Sequence, residues 1–213
     1  MNTLRLVLLA IMVGLVGCAN EPRSRDTANP NVSGETLALQ VCSNCHGATG
    51  NAKSPNFPNL AGQQEAYVVA QLSAFRSQNR RDPAGFEYMW GLSHKLTDKQ
   101  IKELASHFAN EKPERQPVEG RIERIAAGKV IFTGGIPDKG IPPCASCHGS
   151  EGQGNAAFPR IAGQHADYLV KQLAAFQRTN ERPAATVMET VAHNLTRENV
   201  RDVADFAQAV PNQ

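Results

Sequence analysis

Two short runs constrain this chain more than anything else in it: Cys42-Ser43-Asn44-Cys45-His46 and Cys144-Ala145-Ser146-Cys147-His148, each a Cys-x-x-Cys pair followed at once by histidine. They hold four of the five cysteines in 213 residues. Disulfides are the first hypothesis for an exported chain, but this spacing is not that of a disulfide framework. A four-thiolate zinc site brings two such pairs within about 15–20 residues of each other, whereas about a hundred positions separate these. A thioredoxin-like redox pair explains neither the second copy nor the histidines. Covalent haem attachment explains both, because the two thiols add across the haem vinyl groups and the adjacent histidine meets the iron. The runs therefore predict two covalently bound haem c groups, tethered by Cys42, Cys45, Cys144 and Cys147, with His46 and His148 as axial iron ligands.

A duplicated motif invites self-comparison. "FPNLAGQ" at 57–63 returns as "FPRIAGQ" at 158–164, and "YVVAQLSAF" at 67–75 returns as "YLVKQLAAF" at 168–176. Met89, Leu96 and Thr97 pair with Met188, Leu195 and Thr196. The loop "GGIPDKGIPP" before Cys144 has no counterpart before Cys42, and the prolines and charges of "EKPERQPVEG" at 111–120 separate the halves. The expected organisation is a signal peptide at 1–17, a flexible tether at 18–33, one domain at 34–112, a linker at 113–119 and a second domain at 120–213. Each half is small enough that a buried haem would supply much of its core.

The secondary structure reads as all-α. Tyr67, Val68, Leu72 and Phe75 follow a helical period, as do Tyr168, Leu169, Leu173 and Phe176. Thr97 begins a helix through Asn110, with Gln100 placed for a capping box, and Thr196 begins its counterpart. No alternating strand pattern interrupts these segments.

The sixth iron ligand separates a closed electron carrier from an open, reactive centre. Of four methionines, Met1 and Met12 fall in the signal peptide. The other two, Met89 and Met188, stand at matching positions about 40 residues beyond each haem histidine. One such methionine is as easily core filler, but the coincidence in both halves favours thioether ligation. His94 and His193 also match, just beyond each methionine, and bis-histidine ligation at lower potential is the competing arrangement. His107 and His165 lack partners in the opposite half and read as surface or locally bonded.

The chain opens with Arg5 and an apolar run from Leu6 to Val16, an export signal shorter than the roughly 20 residues a spanning helix needs. Leu15-Val16-Gly17-Cys18 resembles a lipobox, predicting acylation of Cys18 and a periplasmic lipoprotein tethered to a membrane. Ordinary cleavage near Gly17-Cys18-Ala19 would instead leave a soluble periplasmic protein. A net charge of +2 with no broad basic surface sets nucleic acid aside.

Together, the two haem motifs and two trailing methionines resemble the di-haem class I cytochromes of the cytochrome c4 family, from Gly34 to about Val210. The resemblance implies two tandem class I cytochrome c domains from an internal duplication, histidine–methionine coordination in both, and haem propionates facing across the domain contact. It implies that Pro58 and Pro159 direct their carbonyls to the haem histidines, fixing the imidazole tautomer. Arg81 and Arg182, with Tyr67 and Tyr168, are implied to lie near a propionate. Glu189 stands where the first half has Trp90, so the two pockets differ. The implied function is an electron carrier, not an enzyme, passing single electrons from a quinol-oxidising cytochrome bc complex to a terminal oxidase or reductase. Two alternatives stay open: the cytochrome subunit of a larger dehydrogenase, such as a sulfide-oxidising flavocytochrome, and a di-haem oxidoreductase or peroxidase with an exchangeable iron position.

Overall fold

The first half begins with a helix whose start its own side chains define. In the first half the Ser33 hydroxyl accepts the Thr36 N–H at 3.1 Å and opens α1 (Gly34–Leu37). The rod widens into a π-helical turn (Ala38–Cys42) and tightens again as α2 (Ser43–His46). The structure is a computed structural model that describes residues 24–83, 85–117, 122–178 and 181–211. The expected signal peptide, Cys18 and parts of the expected tether and linker lie outside the described residues.

The first half continues through α3 (Glu65–Arg76), a π-helical turn (Gly85–Trp90), α4 (Gly91–Ser93) and α5 (Asp98–Asn110). The second half follows the same plan with α6 (Ile122–Gly134), a 3-10 turn (Pro137–Lys139), α7 (Ala145–His148), α8 (Ala166–Phe176), α9 (Thr186–His193) and α10 (Arg197–Ala209). Among the described residues there is no β-strand, only isolated bridges at Ile136–Ile141 and Asn155–Phe158. The first of these closes the inserted loop. No helix among the described residues is long and apolar enough to cross a membrane.

The last helix of each half organises its core. Thr97 caps α5 reciprocally: its hydroxyl accepts the Gln100 N–H at 3.2 Å, and its own N–H donates to Gln100 Oε1 at 3.0 Å. Thr196 and Asn199 repeat the box on α10, both bonds at 3.2 Å. Ile101, Leu104, Ala105 and Phe108 on α5 form one buried stripe, packed against α1 and α3. Val200, Val203, Ala204 and Ala207 do the same on α10, against α6 and α8. Both crossings depend on a missing side chain. A Cβ on Gly34 would lie 2.4 Å from Glu103 Cβ, and one on Gly128 would lie 2.0 Å from the Asp202 carbonyl oxygen.

The two halves are joined side by side by polar contacts. His165, expected at the surface or locally bonded, is instead 7% exposed, and its Nε2 lies 3.0 Å from the Ala52 carbonyl oxygen of the opposite half. A single histidine filling an inter-half contact has no repeat partner to reveal it. His107 is half-buried, 3.8 Å from Glu111 Oε1 one turn further along the chain. Lys171 Nζ reaches Asn56 Oδ1 at 2.7 Å, and the Arg81 N–H donates to the Glu181 carbonyl at 2.7 Å.

Two candidate haem centres

The short helices α2 and α7 turn their histidines inward. His46 is 6% and His148 7% exposed. Nδ1 of His46 lies 2.9 Å from the Pro58 carbonyl oxygen, and Nδ1 of His148 lies 2.9 Å from that of Pro159. A carbonyl can only accept, so Nδ1 carries the proton and the Nε2 lone pair is left for a metal. Burial lowers the pKa of both imidazoles and the proline carbonyl raises it, with a net lowering that keeps the rings neutral. The phenylalanine before each proline sets its ring edgewise to the histidine, Phe57 at 6.2 Å and Phe158 at 6.4 Å between centroids.

The four cysteines are half-buried, and none is in a disulfide. Burial pushes the Cys42 thiol up to about 12 and the Cys144 thiol up to about 11, so both are protonated at neutral pH. Among the described residues no three His, Cys, Asp or Glu side chains gather as a metal cluster. The two cysteine pairs thus do not converge as a four-thiolate zinc site requires. Two unpaired thiols beside a buried neutral imidazole with a free Nε2 are a donor set suited to a tethered haem. In the second half, a cavity of about 680 Å³ opens between the inserted loop at Ile141, Pro142 and Pro143 and the α9 residues Val187, Thr190 and Val191. None of Cys144, Cys147, His148 or Met188 lines it.

Met89 lies in the π-helical turn and Met188 in the first turn of α9, both half-buried. His94 and His193 are exposed. Nδ1 of His94 lies 3.0 Å from the Gly91 carbonyl and 3.2 Å from that of Trp90, and its ring stacks on Trp90 at 5.0 Å. The His94 side chain is thus folded back along its own helix.

A second polar cluster fills the contact between the halves. The sequence pairs Arg81 with Arg182, but the structure puts Arg80 in the equivalent place. Arg80 Cζ stands 4.4 Å from the Phe75 ring centroid, and Arg182 Cζ stands 4.8 Å from that of Phe176. Arg80 Nη1 and Arg182 Nη2 each donate to Gln71 Oε1 at 2.9 Å, and both arginines also bond Gln172 Oε1. Arg81 is exposed and donates from Nε to the Gln78 carbonyl at 3.1 Å. Counted from Phe75 and Phe176, the match to Arg182 is Arg81; Arg80 reaches the same place from one position earlier, in a segment one residue longer before Pro83 than before Pro183. Tyr168 joins the cluster through its hydroxyl, 3.4 Å from Arg80 Nη2, and Tyr67 stands near the same guanidinium. Asp82 and the two glutamines, Gln71 and Gln172, were not legible as site residues. Only the recurrence of Gln71 as Gln172 within the repeat pointed to them.

The cytochrome c family model matches residues 32–110 and 125–210. Cytochrome c4 of Pseudomonas aeruginosa is 34% identical over 99% of this chain and 100% of its own. The crystal structure of reduced cytochrome c4 from Pseudomonas stutzeri superposes with a TM-score of 0.76 at 32% identity, covering 84% of this chain and 97% of that one. A thiosulfate dehydrogenase electron acceptor of Thiomonas intermedia is 32% identical over 80% of this chain and 78% of its own. Two family matches in tandem, each enclosing one haem-attachment helix, and full-length likeness to di-haem relatives agree: this chain belongs to the cytochrome c4 family, an all-α di-haem electron carrier with two covalently bound haem c groups.

Proposed function

We propose that this cytochrome carries single electrons in the periplasm between membrane respiratory complexes, a quinol-oxidising cytochrome bc complex on one side and a terminal oxidase or reductase on the other. His46 and Met89 hold one iron and His148 and Met188 the other. The observation that carries this reading is the matched pair of buried, neutral imidazoles, each oriented by a proline carbonyl at 2.9 Å and each followed by a half-buried methionine at the equivalent position. When bound, the haems supply reversible one-electron chemistry at a potential that thioether ligation raises.

The protein's own part is to hold and to exclude. Pro58 and Pro159 fix the histidine tautomer, which sets donor strength. Met89 and Met188, as second ligands, would close the iron to substrate, in keeping with a carrier and not an enzyme. Arg80, Arg182, Tyr67 and Tyr168 supply a buried, cationic seat between domains 34–112 and 120–213 that suits haem carboxylates. Cys18 anchors the mature chain to a membrane through lipid, confining diffusion to the surface where its partners sit.

A second reading is favoured by the Thiomonas relative: the chain serves as the dedicated electron acceptor of a sulfur-oxidising dehydrogenase. Exposure of the resting reduced holoprotein to carbon monoxide tests the carrier role. Unchanged spectra are expected, because both axial positions are filled. Rapid carbon monoxide binding to either centre would contradict the carrier and favour a di-haem enzyme. Co-purification with a dehydrogenase chain would favour the second reading.

A further inference from the structure

Both copies of the repeated FPxxAGQ segment end in a glutamine, Gln63 and Gln164, and both are buried, at 6% and 5% exposure. Both side chains reach into the opposite half. The Gln164 amide spans the contact and grips the backbone of Asn59 at both ends: Oε1 accepts the Asn59 N–H at 2.8 Å, and Nε2 donates to the Asn59 carbonyl at 3.0 Å. Gln63 does the same to Arg160, with bonds of 2.7 and 3.0 Å. Each Oε1 also accepts the next backbone N–H of its own chain, Gln64 at 3.0 Å and His165 at 3.1 Å, which fixes the amide orientation. The grip is on backbone atoms. The residue gripped is therefore free to be Asn in one half and Arg in the other.

Asn59 and Arg160 each follow the proline whose carbonyl accepts the haem histidine. The Asn59 N–H and the Pro58 C=O belong to one peptide group. A single hydrogen-bonded chain thus runs from His46 Nδ1–H to the Pro58 carbonyl, through that peptide to the Asn59 N–H, and on to Gln164 Oε1 in the opposite half. Its mirror runs from His148 through Pro159 and Arg160 to Gln63. A peptide whose N–H is donated carries more negative charge on its carbonyl, because hydrogen bonds in a chain polarise one another. A stronger carbonyl acceptor in turn makes the imidazole a better electron donor.

We infer that Gln63 and Gln164 are positioning residues acting across the contact, each tuning the haem histidine of the other half. The inference rests on His46 and His148 ligating iron. It gives each haem a dependence on the opposite domain's glutamine, so that loosening the contact shifts both potentials.

The test is a redox titration of the di-haem protein in which each haem is followed separately through its own hyperfine-shifted NMR resonances. Gln164→Leu is expected to raise the potential of the first-half haem and leave the second in place, and Gln63→Leu to do the reverse. Gln164→Glu, which keeps and strengthens the acceptor for the Asn59 N–H, is expected to shift the first-half potential downward. A purely structural role would move both glutamine variants in the same direction. Lys171→Met removes an inter-half bond off the chain and is expected to leave both potentials unmoved. In the unmutated holoprotein, the Asn59 and Arg160 amide protons are expected to exchange as slowly as the slowest core amides. Unmoved potentials in Gln164→Leu, shifts confined to the glutamine's own half, or fast exchange of these two amides would overturn the inference. Proximal-histidine resonances missing from the wild-type spectrum would overturn the ligation beneath it instead.

Discussion

Nε of Arg80 lies 2.7 Å from Oδ1 of Asp82, and both side chains are buried where the two halves meet. Arg182, buried in the same cluster, shares Gln71 and Gln172 with Arg80. Two guanidiniums thus face one carboxylate, leaving positive charge that suits haem carboxylates. Removing one member of a buried pair strands the other, at a cost of about 3–5 kcal/mol. Asp82→Ala is expected to lose stability in that range by guanidinium unfolding of the holoprotein. A loss below about 1 kcal/mol would mean the charge is already compensated without Asp82.

The same carboxyl sets an acid limit. Burial would raise its pKa, but the Arg80 charge, the bond from Arg80 and the Arg182 charge bring it net below the ordinary value, which is about 3.9. A carboxyl depressed in the folded state stabilises fully above the unfolded value, and that contribution is lost as pH falls through the lower folded value. Between pH 4 and the lower native value, wild-type stability should therefore fall more steeply than that of Asp82→Asn. Parallel slopes in the two proteins would contradict this.

The crossing of α6 and α10 has no room at Gly128, where a Cβ would meet the Asp202 carbonyl at 2.0 Å. Overpacking of this kind costs about 1–3 kcal/mol. Gly128→Ala should lower the melting temperature, while Gly134→Ala, on the same helix with nothing within 4 Å, should leave it unchanged or slightly raised. Equal effects from the two substitutions would show that the crossing yields.

Lipid anchoring at Cys18 predicts that wild-type protein pellets with membranes and that Cys18→Ser is found in the soluble periplasmic fraction or retains its uncleaved signal peptide. Cell fractionation with mass measurement of the mature N-terminus checks this. A wild-type chain that is soluble and unacylated would establish ordinary signal-peptidase cleavage.

Much of this molecule could be read from its residues in order. The attachment motifs, the repeat, the capping box at Thr97 and the helix start at Thr196 are local signals, carried within a few positions of each other. What the sequence hid lies between the halves. Counting along the repeat pairs Arg81 with Arg182, whereas in space it is Arg80 that meets Gln71 and Gln172 beside Arg182. Gln63 and Gln164 were visible as repeated letters, but their partners sit about a hundred residues away, beyond any periodicity. The π-helical turns at Ala38–Cys42 and Gly85–Trp90 were equally silent, since such turns have no residue pattern as distinct as a cap. The second of them is why Met89 and Met188, equivalent in sequence, rest on different backbones.

The near-infrared absorption of the fully oxidised holoprotein tests most directly whether each iron is held between histidine and methionine. A weak sulfur-to-iron charge-transfer band is expected in wild type, reduced to about half in Met89→Ala and in Met188→Ala, and absent from the double variant. A wild-type protein without the band, or a band that survives both substitutions, would contradict methionine ligation and transfer the role to His94 and His193.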